Sequence, residues 1–125
     1  MKKVITKGLI LSALFMMFVL NPVTSKAQTN EGELTIVAHV TVNAAYKSEV
    51  LKALEAVVEG TRKEEGNVAY VVWEDTSNSD KLTIIEVWKS QQAIDYHNNT
   101  DHFKAFVKAI EGKADLEVYT MKKKF

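Results

Sequence analysis

The sequence predicts an α+β domain with the element order β-α-β-β-α-β, and three observations predict it. Leu34, Ile36, Ala38, Val40 and Val42 alternate with Thr35, Val37, His39 and Thr41, the period of two expected of a strand with one buried face. Val50, Leu51, Leu54, Val57 and Val58 then fall at i, i+1, i+4, i+7 and i+8, the stripe of a helix lying on a sheet. The same alternation returns at residues 67–75, 81–88 and 115–121, with a second helical pattern between the last two.

The first 27 residues stand apart from that pattern and read as an export signal. Lys2, Lys3 and Lys7 precede an apolar run at residues 8–20, Asn21 and Pro22 end it, and Ser25 and Ala27 supply small residues for cleavage after Ala27. Thirteen helical residues span only about 20 Å, short of a bilayer core of about 30 Å. The expectation is a cleaved signal peptide, a periplasmic or secreted protein, and no stable membrane insertion. A polar leader, residues 28–33, would then precede the domain at 34–125.

Removing the signal removes four lysines and no acidic residue, so residues 28–125 carry a formal net charge of −4. That sign argues against nucleic acid and anionic lipid as partners. The chain has no cysteine, hence neither a disulfide nor a lipid-anchor site. A small exported domain without disulfides has self-association as a remaining source of stability.

Taken in order, Asn43 is placed to cap the first helix, Lys52, Glu55 and Glu59 face water, and residues 61–65 read as a solvated charged turn. Gly66 is then expected in the left-handed region. In the second strand Val68, Tyr70 and Val72 share one face, and Ala69, Val71 and Trp73 the other. Residues 75–80 are a turn by composition. The third strand alternates Leu82, Ile84, Glu86 and Trp88 with Thr83, Ile85 and Val87; Ser90 caps a helix, residues 98–100 interrupt it, and Thr100 caps its continuation carrying Phe103, Phe106, Val107 and Ile110. Gly112 stops it. This is the split βαβ, ferredoxin-like arrangement. Helices on one side leave the other sheet face apolar and bare, which predicts a homodimer packed face to face.

Residues 81–106 gather one carboxylate, one tryptophan and two histidines on a strand and the turns after it. His97 lies on the apolar side of its helix with Ala93 and Ile94. A histidine titrates near neutrality and can take a proton from a phenol or an enolisable ketone, although a buried neutral histidine bonded to a carbonyl is the plainer alternative. Glu86 stands between Ile84 and Trp88 on its face, where a carboxylate is costly unless paired. It can orient His97, bond a substrate hydroxyl, or pair with Arg62 or a lysine. Tyr70 and Trp88 are candidate aromatic walls, His102 a cap or pocket-mouth residue, and His39 faces the bare side of the sheet. The spacings of these histidines and Glu86 match no compact ligand motif, so neither a metal nor a cofactor is expected. There is no glycine-rich phosphate loop, GxSxG elbow or CxxC.

The runs Gly66-Asn67-Val68-Ala69-Tyr70 and Glu86-Val87-Trp88-Lys89-Ser90, followed by Ala93, His97, Thr100, His102, Phe103 and Phe106, resemble the antibiotic biosynthesis monooxygenase (ABM) domain. The resemblance extends over residues 34–125. It implies a dimeric α+β barrel with a pocket between sheet and helices, lined by Tyr70, Trp88, His102, Phe103 and Phe106. Haem-degrading members of that family carry asparagine, tryptophan and a ligand histidine where this chain has Val40, His97 and Val107, which removes the axial donor. A histidine at position 97 is similar to the quinol-monooxygenase and isomerase branches. The resemblance thus implies a cofactor-independent monooxygenase acting with molecular oxygen on a small electron-rich aromatic such as a quinol, with His97 as base and Glu86 beside it. An isomerase of a small hydroxyketone and a binding protein without chemistry are the alternatives.

Overall fold

The computed structural model describes residues 32–125; the expected export signal, its expected cleavage site and most of the expected polar leader lie outside them. The elements are β1 (Leu34–Val42), a 3-10 turn (Ala44–Tyr46) running into α1 (Lys47–Thr61), β2 (Asn67–Asp75), β3 (Asn78–Trp88), α2 (Gln91–Asn98), α3 (Asp101–Ile110) and β4 (Ala114–Lys122). The four strands form one antiparallel sheet in the order β2-β3-β1-β4. This is the ferredoxin-like order, with the two outer strands placed by the two helical crossovers.

One face of the sheet is buried beneath the helices. Ile36, Ala38, Val40 and Val42 from β1 meet Leu82, Ile84 and Trp88 from β3, and Val50, Leu54 and Val57 of α1 with Phe106 and Ile110 of α3 close over them. Burying such side chains contributes about 1.5–3 kcal/mol each, which is what aligns the strands in this register. Two residues of the expected stripes fall outside it: Leu51 and Val107 are exposed, because each lies one step past the edge of its helix's buried face.

Three local expectations are corrected. The β2–β3 hairpin is tighter than composition implied, since Asp75 Oδ1 accepts from Ser77 and Asn78 and strand pairing resumes at Asn78. A bulge between Asn67 and Ala69 exposes Val68, so it does not share the buried face of Tyr70. Gly66 does not adopt a positive φ; among the described residues only Gly112 does, at 71°. Gly66 is required for space instead, because a Cβ there would collide with the Cβ of Ala93. The close approach lets Lys89 N–H donate to Gly66 O at 3.0 Å, tying the start of α2 to the turn after α1.

Candidate functional site

His97 reaches the interior because the helix carrying it is held at both ends. Ser90 Oγ accepts from Ala93 N–H at 3.2 Å, and Thr100 Oγ1 donates to His97 O at 2.7 Å while accepting from Phe103 N–H at 3.3 Å. The imidazole is 2% exposed. It packs 4.7 Å from Trp88 and 4.7 Å from Phe103, centroid to centroid, with Tyr70 at 6.1 Å.

Its orienting partner is Glu64. Glu64 Oε1 lies 2.7 Å from His97 Nδ1 and 2.6 Å from His102 Nε2, so one carboxylate oxygen joins both rings. Arg62, Lys63 and Glu65 are exposed as a solvated turn requires, but the Glu64 side chain is only 5% exposed and Thr61 is buried, which corrects the reading of residues 61–65 at these two positions. The turn is folded inward by its own backbone: Lys63 N–H donates to Gly60 O, Glu64 N–H to Thr61 O, and Asn67 N–H to Glu64 O. Arg62 reinforces it by donating from Nε and Nη2 to Tyr70 O, at 3.1 and 2.9 Å.

Glu86 does not orient His97. Its Oε2 accepts from Trp88 Nε1 at 2.8 Å, and no hydrogen bond joins Glu86 to His97 or to Arg62 among the described residues. The reason is rotational: Glu86 and Trp88 are two apart on one strand and project side by side, whereas Glu64 comes from a turn opposite the imidazole edge. Burial raises the Glu86 carboxyl to about 7, against the lowering effect of the Trp88 bond and with a further increase from Glu64. Burial lowers the pKa of His97, partly offset by its bond to Glu64. Burial likewise raises Tyr70, so its phenol stays protonated.

A cavity of about 200 Å³ lies between the sheet and α2–α3, with Tyr70, Glu86, His97, Phe103 and Phe106 among its walls. Ile36, Ala38 and Ile84 form its floor. Val118 and Thr120 of β4 line it and are also exposed, so it opens toward that edge. His97 Nε2 is buried without a hydrogen-bond partner among the described residues. Trp88 is fully buried behind His97 and Glu86 and acts as their support rather than as a wall. His102 lies outside this cavity; it borders a separate surface depression with Gly60, Glu64, Gly66 and Tyr96. His39 is on the opposite sheet face, bonded through Nδ1 to Thr83 Oγ1 at 3.2 Å. At the two other positions weighed for haem, Val40 is buried in the core and Val107 exposed.

Glu64 was the residue that sequence reasoning missed. It sits in a run of charged residues with no periodicity to distinguish it, and no local pattern pointed there.

A single ferredoxin-like domain with a small, mostly apolar pocket and one oriented histidine defines a class of compact pocket proteins that bring no phosphate loop or nucleophile elbow. Within that class the chain belongs to the antibiotic biosynthesis monooxygenase family, which matches residues 34–109. It is 31% identical over 74 residues to the Bacillus subtilis protein named "Putative monooxygenase YcnE", covering 59% of this chain and 78% of that one. A solved antibiotic biosynthesis monooxygenase superposes with a TM-score of 0.69 at 28% identity, covering 72% of this chain and 97% of the other. SnoaB, a cofactor-independent oxygenase from Streptomyces nogalater, superposes with a TM-score of 0.68, covering 75% and 95%; at 17% identity this likeness concerns the fold alone.

Proposed function

We propose that this protein is a cofactor-independent monooxygenase of a small quinol, with His97 Nε2 as the base. The observation that carries the reading is the pairing of His97 Nδ1 with Glu64, which leaves Nε2 unpartnered where the ring borders the cavity. A carboxylate at Nδ1 keeps the proton there, so Nε2 presents a lone pair. The lowered pKa keeps that lone pair free at neutral pH. The cavity is smaller than the roughly 300 Å³ lower bound typical of drug-sized ligands, which favours a single ring.

The reaction balances without a resident redox group. His97 takes a hydroxyl proton, and the resulting phenolate passes an electron to dioxygen. The semiquinone and superoxide join through a new bond from ring carbon to oxygen. Cleavage of the O–O bond leaves one oxygen on the ring and releases the other as water, so a hydroquinone and O₂ give a hydroxyquinone and H₂O. The phenol of Tyr70 and the protonated fraction of Glu86 supply hydrogen-bond donors in the same cavity. The test is oxygen uptake by metal-free protein with a panel of one-ring quinols, with formation of the hydroxyquinone. Uptake no faster than autoxidation rejects the reading, and equal turnover under argon indicates proton transfer without oxygenation.

The protein acts as an exported homodimer in this reading. Support for export is the N-terminal pattern around Lys2, Lys3, Lys7 and Ala27. Support for the dimer is the uncovered sheet face, where Val71, Ile85, Tyr119 and Met121 are all exposed and Trp73 is 58% exposed. A self-complementary apolar face is best covered by a second copy.

A further inference from the structure

We propose that Glu64, His97 and His102 form a binding site for a divalent first-row transition ion, with Zn²⁺ as its representative. The ligand atoms of the three residues lie within 4.8 Å of one another. Both imidazoles already direct a nitrogen at the same carboxylate oxygen, at 2.7 and 2.6 Å. The second oxygen, Glu64 Oε2, is buried with no hydrogen-bond partner among the described residues. Two imidazoles and a carboxylate suit an ion of borderline softness, at about 2.0–2.2 Å from each donor. Three ligands in tetrahedral directions stand roughly 3.4 Å apart at those bond lengths. To admit the ion the carboxylate oxygen therefore has to retreat by less than about 1 Å from each ring. The two imidazole nitrogens, which lie within 4.8 Å of each other, have to settle about 3.4 Å apart, an adjustment the partly exposed His102 side chain can make. The fourth position is left for water.

Access comes from the surface depression that His102 borders, where its side chain is 28% exposed. Gly60 keeps the ring in place for lack of a side chain: a Cβ there would stand 2.6 Å from His102 Cγ. His97 and His102 are brought together by the break between α2 and α3, since five residues along one continuous helix would separate their directions. Glu64 arrives from a different part of the chain, which is why the linear spacings showed no ligand motif.

An ion on His97 Nδ1 would change the ring's chemistry. The neutral imidazole must then carry its one proton on Nε2, the nitrogen next to the cavity. That nitrogen becomes a donor and can no longer accept a substrate proton. The bound ion thus acts as an off-switch for the base. This consequence rests on the monooxygenase reading, whereas binding itself does not.

The test reads binding directly. Metal-stripped, folded full-length protein is titrated with Co²⁺, followed by its visible absorption, and with Zn²⁺ by calorimetry. The expected result is one ion per chain with an intense tetrahedral Co²⁺ band. His102→Ala and Gly60→Ala, each checked for a native circular-dichroism spectrum, should weaken binding tenfold or more. Gly60→Ala removes no ligand atom, so its effect reports on the position of His102. His39→Ala, at an exposed histidine on the other sheet face, should leave binding unchanged. Failure of the unaltered protein to take up an ion, equal affinity in His102→Ala, or loss of binding in His39→Ala would each overturn the proposal. Turnover is not needed for any of these outcomes, so failure of the monooxygenase reading leaves them intact.

Discussion

His97 Nδ1 lies 2.7 Å from the Oε1 of Glu64, a residue 33 positions earlier in the chain, and this contact decides which imidazole nitrogen is free for chemistry. The pairing predicts a graded response. On the proposed mechanism His97→Ala removes the base and should lower quinol turnover about 10²–10⁴-fold. Glu64→Gln keeps an oxygen for Nδ1–H but loses the charge that stabilises the imidazolium. A charge-assisted bond contributes about 1.5–3 kcal/mol, so the loss should be about 10- to 100-fold. Steady-state rates normalised to folded protein check both; a Glu64→Gln variant with unaltered kcat would reduce Glu64 to a structural role.

Glu86 predicts a specific dependence of stability on pH. Its carboxyl is raised from an ordinary 4.5 to about 7, so between those values the folded protein binds the proton more tightly than the unfolded chain. Its stabilising effect is complete below pH 4.5 and disappears as pH rises through about 7, a change of up to about 3 kcal/mol. His97 works in the other direction: its depressed pKa gives stability that is present above 6.5 and lost as pH falls through the folded value. Glu86→Gln separates the two, since the amide oxygen can still accept from Trp88 Nε1. Melting temperatures from pH 4.5 to 7.5 should show the variant gaining on the unaltered protein as pH rises; parallel curves would mean that Glu86 is not held protonated.

The bare sheet face predicts that Trp73→Glu yields a monomer. Trp73 has the most exposed large apolar side chain on that face and makes no contribution to the buried core. A carboxylate from each copy would be forced into an apolar contact. Sedimentation velocity at micromolar concentration should show a dimer for the unaltered protein and a monomer for the variant. A monomer in both would disprove face-to-face pairing.

Gly66→Ala should destabilise the domain by about 1–3 kcal/mol, the usual cost of overpacking. The added Cβ would meet both the side chain and the backbone of Ala93, so neither a rotamer change nor a small shift relieves it. Urea denaturation measures the effect. The double variant Gly66→Ala, Ala93→Gly should recover part of the loss, because it removes the nearer of the two obstacles.

The sequence by itself determined the strand and helix order, most of the inward-facing residues and the inward side of α2 on which His97 lies. Those features are local: a period of two or of 3.6 fixes which side of an element is apolar, and Ser90, Thr100 and Gly112 mark helix ends through their own chemistry. Only the tertiary structure decided that Glu64, rather than Glu86, pairs with His97. Glu86 is adjacent to the candidate site in sequence, yet a strand sends it to Trp88. Glu64 looked like one solvated acid among several, and it turns inward only because the backbone of residues 60–67 folds back on itself. The meeting of His97 with His102 has the same origin. A hydrogen bond between distant residues depends on the direction of whole elements, and no local pattern of side chains encodes that direction.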